Sequence, residues 1–188
     1  MRVSGKGLIN RQNTVNFKFD GMNYTGYEGD SVASALLASG KKLFGRSFKY
    51  HRPRGVLTAG SEEPNALITV GEGSFQDPNV RATTQEIFEG LVTRSQNNWP
   101  NLSYDVLSIN DLFSHFLGAG FYYKTFMCPK SFWEKIYEPF IRRAAGLGSL
   151  SGLHNSDTYE KAYAFCDLLV IGGGPSGLLA AKLAAEAG

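Results

Sequence analysis

The chain has 188 residues, 43% of them hydrophobic and 19% charged, with a formal net charge of +2. That is the composition of an ordinary globular protein of one or two domains. A charge so close to balance gives no reason to expect nucleic acid, no apolar stretch is long enough to span a membrane, and the start Met-Arg-Val-Ser-Gly-Lys-Gly lacks the apolar core of a signal peptide. Two cysteines, Cys128 and Cys166, make no disulfide framework, which points to a reduced, cytoplasmic setting.

In chain order, Val15, Phe17 and Phe19 alternate with polar residues, as a half-buried strand does. Asp20-Gly21 is a hairpin turn signal, after which Met22 and Tyr24 resume the alternation. Gly29-Asp30-Ser31 supplies an N-cap, and Val32, Ala35, Leu36 and Ser39 share one helical face up to Gly40. Residues 66–70 read as another strand. Hairpin, helix, long loop and strand make the order of a [2Fe-2S] ferredoxin-like β-grasp domain, predicted over residues 1–72.

A plant-type ferredoxin carries C-x4-C-x2-C in the loop after that helix. Residues 41–65 hold no cysteine, so the module is expected to be cysteine-free and to bind no iron–sulfur cluster. The loop carries instead six Lys or Arg within residues 41–54, with no acid among them and with interleaved aromatics. Arg46, Lys49, Arg52 and Arg54 can contact an anion such as a dinucleotide phosphate, dock a partner subunit, or form a solvated face paired with Glu62 and Glu63. Nucleic acid is set aside because the rest of the chain is balanced in charge. His51, His115 and His154 have no neighbours at metal-ligand spacing; His51 is read as a structural hydrogen-bonding residue, and no metal site is expected. No catalytic nucleophile stands out.

Residues 73–165 are predicted as a mainly helical connector. A helix is expected over 83–94 with Ile87, Leu91 and Phe88 inward, then a turn-rich break at 97–101. A short strand through Tyr104, Val106 and Ile109 and a short helix at 112–117 follow, and then an aromatic run at 121–126. Trp133, Ile136, Tyr137, Phe140, Ile141 and Ala144 recur at helical spacing, with Pro139 marking a kink or two short helices. Arg142, Arg143 and Gly146 suit a helix C-terminus. This apolar load suits packing over a neighbouring domain or subunit.

Residues 166–188 carry the most informative pattern. Leu168 to Ile171 is an apolar run of the kind buried in a parallel sheet, and Cys166 before it reads as a small core residue. Gly172, Gly174 and Gly177 then fit G-x-G-x-x-G, the turn that lets a backbone approach a pyrophosphate at a helix N-terminus. Pro175 is tolerated as the first helical residue. Gly172, Gly173, Gly174, Pro175, Ser176 and Gly177 are the expected cofactor-binding residues. The acid that grips the adenine ribose is expected about twenty residues on, beyond Gly188, so the turn itself is compatible with NAD, NADP or FAD. The fold class is thus α+β followed by α/β, ending in the first β-α unit of a truncated Rossmann-type domain.

Five segments carry a resemblance across nearly the whole chain. They are Gly29-Asp-Ser-Val-Ala-Ser-Ala-Leu-Leu-Ala38, Arg46-Ser-Phe-Lys-Tyr-His-Arg-Pro-Arg-Gly55, Gly60-Ser-Glu-Glu-Pro-Asn-Ala-Leu67, Ala119-Gly-Phe-Tyr-Tyr-Lys-Thr-Phe126, and residues 137–148. Together with the glycine turn they resemble the N-terminus of the α subunit of heterotetrameric sarcosine oxidases. The resemblance implies NAD on this subunit, FAD and FMN elsewhere in the complex, and β, γ and δ subunits as partners. It implies oxidation of sarcosine by oxygen to glycine and hydrogen peroxide, with tetrahydrofolate taking the one-carbon unit as methylenetetrahydrofolate. On this reading the fragment alone is inactive and binds NAD weakly or not at all. Two other readings stand beside it: the matching subunit of a sister N-methyl amino acid dehydrogenase, such as one acting on N-methylglutamate, and a non-catalytic dinucleotide-binding scaffold.

Overall fold

The computed structural model describes residues 2–3, 5, 7, 9–120, 128–144 and 146–188. They form two compact units, which divide after Asn155.

The first unit is built on a five-stranded sheet. Strands β1 (Asn10–Phe19) and β2 (Met22–Glu28) form an antiparallel hairpin that pairs Phe19 with Met22 and Phe17 with Tyr24. The turn works because Asp20 and Gly21 both take positive φ, 50° and 76°, the backbone that matches the twist of two strands. Helix α1 (Val32–Ala38) starts where the Ser31 side chain accepts a hydrogen bond from the Ser34 N–H at 3.2 Å. Its buried face, Val32, Ala33, Ala35 and Leu36, lies on the sheet with Phe17 and Phe19. The approach is close: a Cβ on Gly26 of β2 would meet the Ala35 Cβ at 2.9 Å and collide with Ile87 Cδ1.

Two short strands, β3 (Gly45–Arg46) and β4 (Pro53–Arg54), make a separate small hairpin. Strand β5 (Leu67–Val70) returns to the main sheet, followed by β6 (Asp77–Arg81) and β7 (Val92–Ser95), in the order β2-β1-β7-β5-β6. Strand β7 pairs parallel with β1 and antiparallel with β5. The sheet therefore runs past residue 72, the boundary expected from the sequence, and takes two strands from the segment read as a helical connector.

The expected helix over 83–94 is absent. Ile87 and Leu91 are buried as predicted, but Phe88 is 56% exposed, and the backbone turns at Gly90, with φ at 81°, into β7. Polar Thr93 is fully buried there because its Oγ1 donates to the Lys18 carbonyl at 2.8 Å. A central position between two strands overrides the local helical spacing.

The strand expected through Tyr104, Val106 and Ile109 is instead a 3-10 helix, Val106–Asp111, capped by the Asp105 carboxylate. Tight i→i−3 bonds such as Phe113 N–H to the Asn110 carbonyl continue through residues 112–117. The aromatic run at 121–126 lies outside the described residues. A turn of π-helix at Trp133–Tyr137 passes into α2 (Glu138–Ala144). Pro139, which has no N–H to offer the preceding turn, marks the change. Ile136 and Phe140, expected on a buried face, are 50% and 66% exposed.

In the second unit, helix α3 (Pro175–Ala187) forms, but the strand expected at 168–171 does not. A parallel strand exists only through hydrogen bonds to neighbours, and none pairs with it among the described residues. Leu168, Leu169 and Ile171 are exposed, as are Cys128 and Cys166, against the core reading of Cys166. Among the described residues no helix is long and apolar enough to cross a membrane.

Candidate functional site

The basic segment is an ordered hairpin loop. The Ser47 N–H donates to the Arg52 carbonyl at 2.8 Å and the His51 N–H to the Ser47 carbonyl at 3.0 Å. His51 closes the turn with φ at 55°, and its ring turns inward, where it is 1% exposed. There His51 Nδ1 lies 2.6 Å from Asp105 Oδ2. The other Asp105 oxygen accepts from the Trp99 and Leu107 N–H groups at 3.0 and 3.2 Å. His51 is a structural hydrogen-bonding residue, as the sequence suggested, but its acidic partner stands 54 residues away, where no spacing rule would find it.

Three of the four cations offered as anion or subunit contacts, Arg46, Lys49 and Arg52, are committed to the chain itself. Arg46 donates through Nε and Nη2 to the Leu102 carbonyl at 3.0 and 2.7 Å, and through Nη1 to the His51 carbonyl at 3.2 Å. Lys49 Nζ donates to the Gly118 carbonyl at 3.1 Å, and Arg52 pairs with Asp111 at 2.6 Å. Tyr50, whose hydroxyl donates to the Leu117 carbonyl, lies beneath both Lys49 and Arg52, 5.0 and 4.7 Å from its ring centre. Backbone carbonyl oxygens of His51, Leu102 and Gly118 and the Asp111 carboxylate thus accept from cations that sequence reading offered to an external anion. Arg54 differs: it is exposed, and no hydrogen bond or ion pair engages its guanidinium among the described residues.

Glu63 does not pair with these cations. It is 1% exposed and accepts from the N–H groups of Leu57, Thr58, Asn65 and Ala66 at 2.6 to 3.1 Å. Burial by itself would raise its pKa, but these four donors outweigh it and hold the carboxyl below its ordinary value. The anion organises the loop that precedes β5. Asp30 is its counterpart at α1: Arg2 grips both oxygens at 2.8 and 2.5 Å, and Ser34 Oγ and the Tyr27 N–H add two more bonds. Burial opposes its ionisation as well, and these donors again win, so its pKa is lowered.

The glycine turn has the stereochemistry its spacing requires. Gly172 has φ at 113°, a backbone that L side chains rarely adopt. A Cβ on Gly177 would collide with the Gly172 carbonyl oxygen, so the first and third glycines need each other. Gly173 and Gly174 have open space where a Cβ would point. Gly174 is the N-cap of α3 and Pro175 stands in its first turn. The Leu178 N–H bonds the Gly174 carbonyl at 2.9 Å, which leaves the N–H groups of Ser176 and Gly177 ahead of the helical ladder. Such a terminus can receive a phosphate.

Comparison with known proteins agrees with the resemblance along the whole chain. It is 61% identical over 187 residues to the sarcosine oxidase subunit alpha of Rhizobium meliloti (strain 1021), covering 100% of this chain and 19% of that protein. It is 32% identical over 183 residues to the subunit of the same name from Corynebacterium sp. (strain U-96), covering 96% of this chain and 14% of that one. The chain is thus a relative of the sarcosine oxidase alpha subunits, and it spans less than a fifth of the length of the relatives it matches. Among solved structures, L-proline dehydrogenase from P. horikoshii aligns with 51% of this chain and 18% of its own, at 23% identity and a TM-score of 0.38.

Residues 12–98 match a family described as a 2Fe-2S iron–sulfur cluster binding domain. This corrects two expectations. The module was predicted as a cofactorless imitation of a ferredoxin, and an iron–sulfur cluster was excluded; the match places residues 12–98 with a cluster-binding family and points to an iron–sulfur cofactor. The exclusion of a cluster rests on the cysteine-free loop 41–65, whereas the match spans all of residues 12–98, including β5, β6 and β7. The thiolates of such a cluster are not found in that stretch: the two cysteines, Cys128 and Cys166, lie outside it. Among the described residues no group of His, Cys, Asp or Glu converges to hold a metal ion.

Proposed function

We propose that this chain is part of the alpha subunit of a flavin-dependent sarcosine oxidase. That enzyme would convert sarcosine, oxygen and tetrahydrofolate to glycine, hydrogen peroxide and methylenetetrahydrofolate in a complex with beta, gamma and delta subunits. The single observation that carries this reading is the 61% identity over the full chain to a protein of that name.

In this reading the chain binds and positions, and the amine chemistry takes place on partners. Gly172, Gly173, Gly174, Pro175, Ser176 and Gly177 hold the pyrophosphate of an NAD molecule. The positive φ of Gly172 turns the backbone under the phosphates, open space at Gly174 admits them, and the Ser176 and Gly177 N–H groups with the α3 dipole offset their charge. A bound dinucleotide supplies either a nicotinamide for hydride transfer or a rigid strut between domains; the proposed role is the second. The first unit is a docking module whose basic loop is held by Arg46 and His51, and whose loop before β5 is held by Glu63.

The test is oxygen uptake by the complete co-expressed complex with sarcosine, with and without tetrahydrofolate. Oxygen consumption with peroxide formation supports the oxidase, and methylenetetrahydrofolate formation supports the folate branch. Dye reduction with N-methylglutamate and no oxygen uptake would move the assignment to a sister dehydrogenase.

A further inference from the structure

Beside the β3–β4 hairpin lies an open cleft of about 390 Å³, within the size range of small-molecule sites. Among the described residues its lining includes Arg46, Lys49 and Arg54 and no acidic residue. Three features make it more than a gap between loops. Arg54 is paired with Gly45 across the hairpin, and a Cβ on Gly45 would lie 3.3 Å from the Asn65 carbonyl oxygen, so Arg54 and Asn65 flank a strand kept bare by glycine. The Arg54 guanidinium and the half-buried Asn65 side-chain amide have no partner among the described residues, while the other cations of the lining are held by carbonyl oxygens. Phe48, 61% exposed, stands in the same lining.

The geometry points to a binding site for a small phosphate-bearing molecule with a planar ring, separate from the glycine turn. Arg54 supplies a planar fork that matches two phosphate oxygens, and Asn65 supplies an amide donor. Arg46 and Lys49 add positive potential without leaving their carbonyl partners; among the described residues the lining itself carries no carboxylate, while Glu63 accepts from the Asn65 N–H with its charge already met by four donors. Phe48 offers a face on which a heterocycle stacks.

The experiment titrates the full-length subunit with inorganic pyrophosphate and, separately, with adenosine monophosphate, by isothermal calorimetry at low and moderate salt. Four variants are compared with the parent: Arg54→Gln, Phe48→Ala, Arg81→Gln as an exposed cation outside the cleft, and Gly174→Val in the glycine turn. Circular dichroism verifies that each is folded. The expected result is saturable binding of both probes, weakened about tenfold or more by Arg54→Gln, as for the loss of a charge-assisted bond, and unchanged by Arg81→Gln. Phe48→Ala should weaken adenosine monophosphate severalfold and leave pyrophosphate unaffected. No saturable binding, equal losses in Arg54→Gln and Arg81→Gln, or binding lost only in Gly174→Val would each overturn the proposal.

Discussion

His51 Nδ1 sits 2.6 Å from Asp105 Oδ2, with both side chains almost fully removed from solvent. This contact joins the basic hairpin loop to the segment that follows the sheet, and Asp105 also caps the 3-10 helix that starts at Val106. Removing either partner leaves a buried polar group unsatisfied. Asp105→Ala is expected to destabilise the fold by about 3 kcal/mol, read from urea denaturation. Hydrogen exchange should show faster opening in residues 99–111 than in β1. An Asp105→Ala protein with wild-type stability would remove the contact from the account of how the loop is held.

Glu63→Gln tests the anion in the loop before β5. One amide oxygen can serve only part of the four N–H donors, and the new NH2 faces donors itself. A loss of about 2 to 4 kcal/mol is expected, against less than about 0.5 kcal/mol for the exposed neighbour in Glu62→Gln. Similar urea midpoints for the two variants would contradict the role given to Glu63.

Asp30 and Glu63 are expected to contribute to the acid limb of stability. Their ordinary values are 3.8 and 4.5, and both are lowered in the folded protein. The unfolded chain therefore takes up protons first as pH falls. The stability these groups contribute is complete above their unfolded values and is lost as pH drops through the lower folded ones. Urea midpoints should show no pH dependence from them between about pH 6 and 5, where their contribution is complete, and a fall below about pH 4. Arg2→Ala removes the bidentate partner of Asp30 and should make that fall shallower.

Gly177→Ala places a Cβ against the Gly172 carbonyl oxygen. The turn must open to accommodate it, which displaces the N–H groups at the start of α3. In the full-length subunit this should weaken NAD binding by tenfold or more, since about 1.4 kcal/mol is already a factor of ten. The far-UV circular dichroism should stay unchanged, because alanine favours helix. Unaltered NAD affinity would separate the glycine turn from dinucleotide binding.

Gly26→Ala addresses the packing of α1 on the sheet. The added methyl meets Ala35 and Ile87 in a filled core, and overpacking of this kind costs about 1 to 3 kcal/mol. A thermal melt would register it. A neutral result would mean that α1 can retreat from β2 without loss.

Local chemistry was legible in the sequence wherever it could be satisfied within a few residues. Alternation at Val15, Phe17 and Phe19, the Asp20-Gly21 turn, the Ser31 cap and the glycine turn at 172–177 each depend on short-range sterics and hydrogen bonds, and the structure forms all of them. The resemblance was legible too, because motif identity survives without knowledge of the fold.

What tertiary structure decided were the partners across long sequence separations. Strand β7 is a strand because β1 and β5 lie on either side of it, not because Val92-Thr-Arg-Ser95 is apolar. Asp105 finds His51, and the Leu102 carbonyl finds Arg46, across more than fifty residues. Glu63 turns away from the cations beside it in sequence, because four converging N–H groups solvate a buried carboxylate better than one flexible exposed side chain does. A basic run therefore reads in sequence as a surface for others, while in the fold Arg46, Lys49 and Arg52 already have partners within the chain. Among the described residues of that run, Arg54 is the arginine whose guanidinium has no partner, and that distinction exists only once the chain has closed around it.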